Sequence, residues 1–216
     1  MPIYLSLVPS IQPAQAVVAD TTKITTGNIR PPTFRHLFLL LAFLLTLQSL
    51  VTSSISVHLL DMLKQLGIAT ATALAIGMVM GPAQVAGRIV EFTWGQGLHP
   101  TRATRIGILL CLAGIALLIP AQPWLAFGAI ALYGAGNGIL TITRGTLPLV
   151  LFGSVGYGAR MGLLARPMLI AQAAGPIIAA AILDTSSGHT LLLLLAGIVL
   201  VALLSSWLLP VRTADA

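Results

Sequence analysis

The chain has 216 residues, of which 57% are hydrophobic and only 7% charged, and its mean hydropathy is +0.99. Soluble domains carry roughly 25% charged residues, so this composition excludes a water-soluble globular protein. The formal net charge of +6 does not mark a nucleic-acid-binding chain either, because the bases form no single patch or stripe.

Residues 1–34 read as a polar cytoplasmic lead-in, expected to be poorly ordered. They hold five Pro and no apolar run long enough to span a bilayer, and no base precedes Ile3 as a secretory signal requires. Residues 35–210 then read as an all-α, six-helix transmembrane domain, with spans near 36–60, 68–92, 101–119, 123–144, 159–183 and 190–209. Each span is close to the 20 or so apolar residues that cross the hydrocarbon core, and residues 211–216 form a short tail.

The bases set the expected orientation. Lys23, Arg30 and Arg35 precede the first span; Arg88, Arg102 and Arg105 flank the second connection; Arg144, Arg160 and Arg166 flank the fourth; Arg212 follows the last. Lys64 stands alone on the opposite side. Positively charged loops stay cytoplasmic, so both termini are expected in the cytoplasm, with the chain in a bacterial inner membrane and the lipid bilayer as its solvent.

The spans differ in polarity. The third and sixth are almost purely apolar, Cys111 being the exception, and suit a peripheral, lipid-facing place. The other four carry polar groups at depth. Gln48, Thr52 and Ser56 share one helical face, and Gln84, Arg88 and Glu91 share another. Tyr133, Asn137, Thr141 and Arg144 form a third stripe at i, i+4, i+8 and i+11. Gln48, Tyr133 and Gln172 each fall near the middle of a span, and Arg166 lies about six residues, roughly 9 Å, inside the fifth.

An unsatisfied polar group in hydrocarbon costs several kcal/mol, so these side chains must face protein or a water-filled cavity. Two readings stand. Ser, Thr, Asn and Gln bond across helices as glue, or polar groups from several helices converge on a solute cavity near the midplane. The cavity candidates are Gln48, Thr52, Tyr133, Asn137, Thr141, Arg166 and Gln172. Arg88 with Glu91 is either an ion pair that breaks on opening or ordinary interfacial anchoring. Gln84 lies on the same face, and Pro167 and Pro176, each lacking a backbone donor, are expected to kink the fifth helix; these five are the gating candidates. Gly77 with Gly81, and Gly134 with Gly138, are small-xxx-small pairs that permit close helix approach.

Enzyme chemistry finds no constellation. Ser154 and His189 fall on connections expected on opposite sides of the membrane, and the glycines of FGSVGYG (Phe152 to Gly158) follow no strand and read as a tight interhelical turn. The carboxylates after the lead-in are Asp61, Glu91, Asp184 and Asp215. No metal site, cofactor or catalytic residue is therefore expected.

Taken together, the basic connection after GPAQVAGR (Gly81 to Arg88) and the run YGAGNGILTITRGTLPLVLFGSVGYGARMG (Tyr133 to Gly162) resemble the carboxy-terminal half of a bacterial major facilitator superfamily transporter. RGTLPL (Arg144 to Leu149) is the more specific part of the match, which covers about Phe34 to Leu209. The Gly-x-x-x-Asp-Arg-x-Gly-Arg loop motif is matched only loosely, with Val85 where Asp would stand. The resemblance implies secondary active transport of a small solute by alternating access between two six-helix halves. The first, second, fourth and fifth helices would line the cavity, and the third and sixth would be peripheral. The chain would be a fragment, a split half or a homodimer subunit, its partner a missing amino-terminal half or a second copy. The rival reading is a non-transporting membrane subunit whose polar stripes pack against a partner.

Overall fold

The structure, a computed structural model, describes residues 31–211; most of the lead-in, with Lys23 and Arg30, and the tail from Arg212 lie outside them. It is all helix among those residues: α1 (Pro31–Gln65), α2 (Thr70–Trp94), α3 (Pro100–Leu118), α4 (Pro123–Phe152), α5 (Tyr157–Thr185) and α6 (Gly188–Ser206), with a 3-10 turn at Gly95–Gly97. All six are long and apolar enough to cross a bilayer. The chain is a multi-pass membrane protein built as a six-helix bundle.

Local chemistry explains most of the ends. Pro100 and Pro123 open α3 and α4 at positions whose N–H would have no helical acceptor. The His99 ring caps α3 by accepting from the Thr101 N–H at 3.3 Å, and Ser187 Oγ caps α6 by accepting from Thr190 N–H at 3.3 Å. The α4–α5 connection is the expected tight turn, with Gly153 at φ 74° and Gly156 at φ 68°, left-handed conformations that glycine adopts without a Cβ clash. Two spans run further than expected. α1 begins at Pro31 and continues through Asp61 and Lys64, and α4 passes Arg144 and Pro148 to reach Phe152. The 35 residues of α1 extend about 52 Å, well beyond the hydrocarbon core, so its charged ends need no loop to reach water.

The principal packed pairs are α1 with α5, α2 with α4, α1 with α6, α3 with α4, and α3 with α6. Exchanging α1 with α4, α2 with α5 and α3 with α6 returns the same set. Because each triplet has an odd number of crossings, the two triplets run in opposite directions through the membrane. α1 and α4 occupy equivalent central places, each flanked by two neighbours.

Glycine makes these contacts close. A Cβ on Gly134 would lie 2.8 Å from the Ala83 Cβ and 2.9 Å from the Met80 carbonyl oxygen, Gly138 abuts the Gln84 carbonyl, and Gly87 answers from α2 against the Ala135 carbonyl. The Gly134/Gly138 pair thus seats α2. Gly77 and Gly81 do not act as a matching pair: Gly81 has open space where a Cβ would go, and Gly77 only grazes Leu59 at 4.0 Å. Neither comes within 4 Å of α4 at the position a Cβ would take.

Arginine ties the bundle end. Arg105, on α3, donates through Nε and Nη2 to the Ser206 carbonyl at 3.2 and 3.1 Å and through Nη2 to the Leu209 carbonyl at 3.0 Å. Arg160 likewise donates to the Phe152 carbonyl at the end of α4. Arg160 satisfies a carbonyl at the end of α4, and Arg105 adds to the Leu209 N–H on the Ser206 carbonyl and fixes the turn that follows α6 through the Leu209 carbonyl, a structural task beyond orientation. Arg105→Ala is expected to lower stability by about 1.5 to 3 kcal/mol, the range for hydrogen bonds from a charged donor. Arg105→Lys should recover only part of it, since a single ammonium nitrogen cannot take the places of both Nε and Nη2; thermal melts of detergent-solubilised protein would check both.

Candidate functional site

One polar groove reaches the interior of the bundle. Gln48, Ser49 and Thr52 from α1 face Asn137, Thr141, Thr143 and Arg144 from α4, with Met168 and Gln172 of α5 and Thr104 of α3 completing the wall around a volume of about 120 Å³. Five of the seven cavity candidates line it: Gln48, Thr52, Asn137, Thr141 and Gln172. The helical stripe on α4 explains their convergence, because α4 presents one polar face along 137–144 and α1 crosses in front of it. The lining segments lie from mid-depth toward the end of the bundle where α1 begins and α4 finishes, so the groove occupies that half.

Hydrogen bonds fix its floor. Thr52 Oγ1 donates to Asn137 Oδ1 at 3.1 Å, joining α1 to α4. Gln48 Nε2 donates to Cys111 Sγ at 3.8 Å, and the thiol in turn donates to the Tyr133 carbonyl at 3.7 Å. Gln48 Oε1 and the Tyr133 hydroxyl are buried with no hydrogen-bond partner among the described residues. Gln48, Asn137 and Thr104 are each at least nine-tenths buried, so the groove is polar but largely enclosed by protein. Every lining side chain except Arg144 is uncharged.

The remaining candidates sit elsewhere. Tyr133 belongs to the polar stripe by sequence but is fully buried, not in the groove wall, because α3 closes on that stretch of α4: a Cβ on Gly114 would be 2.7 Å from the Tyr133 nitrogen. Arg166 is exposed on α5 and outside the groove. α2 contributes no side chain to the groove, so the four-helix lining that the family resemblance implies reduces here to α1, α4 and α5 with Thr104 of α3. Gln84 is half-buried against α4, Arg88 is exposed, and Arg88 makes no ion pair with Glu91 among the described residues. The ion pair that does form is Lys64 with Asp61 at 3.5 Å, exposed on α1. α5 runs unbroken through Pro167 and Pro176, and the Pro176 carbonyl lies 3.0 Å from His58 Nε2.

Thr104 and Cys111 are polar contributors that the pattern of α3 conceals, since Thr104 is masked by Thr101, Arg102 and Arg105 in the polar first turns and Cys111 is a lone polar residue in the apolar stretch that follows. Their signal in the sequence is spacing: Thr104 and Cys111 are seven residues apart, two turns on one face. The third helix is therefore not simply lipid-facing. Half of its central stretch is buried, against 17% for α2 and 28% for α5. No protein-family model and no curated protein matches the chain.

Proposed function

We propose that this chain is one six-helix half of a secondary transporter of the major facilitator type, moving a small solute by alternating access. What carries the reading is the polar groove at mid-depth, with a buried Gln48 carbonyl oxygen that no donor among the described residues satisfies. A membrane protein has reason to keep such a group where a solute or water meets it. The exchange rule among the packed pairs supports it, because inverted three-helix repeats are built into each six-helix half of these transporters. The bare flanks of α2 and α5, where Met78, Phe92, Ile170 and Ile177 are exposed, are where a second six-helix body would close the groove, whether an amino-terminal half or a second copy. Among the described residues seven arginines lie toward one end of the bundle and Lys64 toward the other, which supports placing that arginine end, and both termini, in the cytoplasm of a bacterial inner membrane. The groove would then face inward.

The same bare flanks also suit a non-transporting subunit packed against a partner, and thiol labelling separates the two. Native Cys111 is fully buried and gives no background. In intact membranes, Thr141→Cys and Gln172→Cys should react with a water-soluble maleimide, whereas Ile177→Cys should not. Failure of both groove positions to react would mean that a partner fills the groove, and the transport reading would fall.

A further inference from the structure

A second concavity lies on the outer surface of the bundle, between the start of α3 and the end of α6. Ile106, Leu109, Leu203 and Trp207 form its walls, Arg102 and Arg105 stand at its mouth, and its volume is about 300 Å³. The lining is almost wholly apolar, so Arg102 and Arg105 meet it chiefly through their aliphatic stems. Neither α3 nor α6 contains an acidic residue, so nothing on the two helices neutralises those charges. Arg102 is exposed and makes no ion pair among the described residues. Arg105 directs Nε and Nη2 to the carbonyls at and just after the end of α6, and its Nη1 has no acceptor among the described residues.

The position matters as much as the chemistry. α3 has 19 residues, about 28 Å, only just the thickness of the hydrocarbon core. Arg102 and Arg105, in its first turns, therefore sit at the headgroup level, and the wall from Ile106 to Leu109 descends into the acyl region. Trp207 is 65% exposed, with its ring 4.8 Å from the Arg105 guanidinium, an arrangement suited to the membrane–water boundary. We infer that this groove holds an anionic phospholipid, one acyl chain lying along Leu109 and Leu203 and the phosphate bridging Arg102 and Arg105 Nη1. A basic mouth above an apolar trough selects a ligand that is anionic at one end and hydrocarbon at the other, and a second protein copy would bring no matching negative charge on α3 or α6.

Native mass spectrometry of the full chain, released from a neutral detergent after titration with phosphatidylglycerol or phosphatidylcholine, tests this. The wild-type protein should retain phosphatidylglycerol preferentially. Arg102→Gln should weaken that retention about fivefold, the effect of one basic residue near an anionic lipid surface, and leave phosphatidylcholine unchanged. Leu109→Trp, which fills the trough, should reduce retention of both lipids without altering the thermal melt. Excess inorganic phosphate should not compete, since it lacks the chain. Equal retention of the two lipids, an unchanged preference in Arg102→Gln, or a Leu109→Trp variant that changes oligomeric state and not lipid retention would each overturn the assignment.

Discussion

Gly138→Leu is expected to abolish recovery of folded, monodisperse protein, while Gly81→Leu leaves it intact. The two glycines have the same composition-level signature, each one half of a small-xxx-small pair, so only their surroundings separate them. At Gly138 an added Cβ meets the Gln84 carbonyl of α2, and one turn earlier Gly134 is also tight, though less so, against Met80 and Ala83. The obstacle is backbone, which cannot rotate aside, so a leucine there must push α2 off α4. Overpacking a well-filled site costs about 1 to 3 kcal/mol and sometimes more, and in lipid no hydrophobic force draws separated helices back, since packing itself holds them. Gly81 has nothing within reach of a Cβ. Fluorescence-detected size exclusion with a thermal ramp reads both variants, and equal stability of the two would mean that α2 is not seated by the α4 glycines.

That contrast also marks where the sequence stops being legible. The six spans are written in their apolar runs, because water excludes a chain so poor in charge and the hydrocarbon core sets the length. The ends are less plainly written. Arg144 reads as a boundary because a charge normally sits at the interface, yet α4 carries it inside the helix for two further turns to Phe152, its side chain reaching the groove. Depth alone points to Gln48, Tyr133 and Gln172, since helical rise converts sequence position into distance along the membrane normal; the groove takes Gln48 and Gln172 but Asn137 rather than Tyr133, because α4 runs on to Phe152 and its middle shifts by a turn. Direction around the helix axis is not readable in that way. Tyr133 and Asn137 share a stripe, but neighbours at different heights cover Tyr133 and leave Asn137 at the groove. Gly87, which touches α4, and Gly81, which does not, differ only in which side of α2 they occupy. Facing depends on the partner helix, and the partner is not encoded locally.

The α2 and α5 flanks show the same dependence at the next level. Each helix buries one face on a central helix, Gly87 on α4 and Gly175 on α1, where a Cβ on Gly175 would be 2.7 Å from the Leu50 carbonyl oxygen. Each leaves its other face bare, and Arg88 on α2 and Arg166 and Gln172 on α5 are exposed. Lipid covers apolar groups without cost but does not satisfy these. On the transporter reading proposed above, a second six-helix body across that face would account for both the polarity and the exposure.

Asn137→Leu should reduce solute counterflow about tenfold in proteoliposomes holding the complete transporter, the effect of one lost hydrogen bond of about 1.4 kcal/mol to a bound solute. Asn137 stands at mid-depth in the groove, and its Oδ1 is held by Thr52 Oγ1, which turns the amide nitrogen outward as a donor. Interhelical glue predicts a different pattern. Thr52→Val removes the same α1–α4 bond from the other side while leaving the Asn137 amide in place, so glue requires the two variants to lose stability and transport together. A solute contact requires Asn137→Leu to raise the half-saturating solute concentration, with Thr52→Val close to wild type and both melting within about 1 kcal/mol of it, the usual worth of such a membrane hydrogen bond. Parallel loss in the two variants would assign Asn137 to packing, and the solute contact would have to be sought at Gln48 and Gln172 instead.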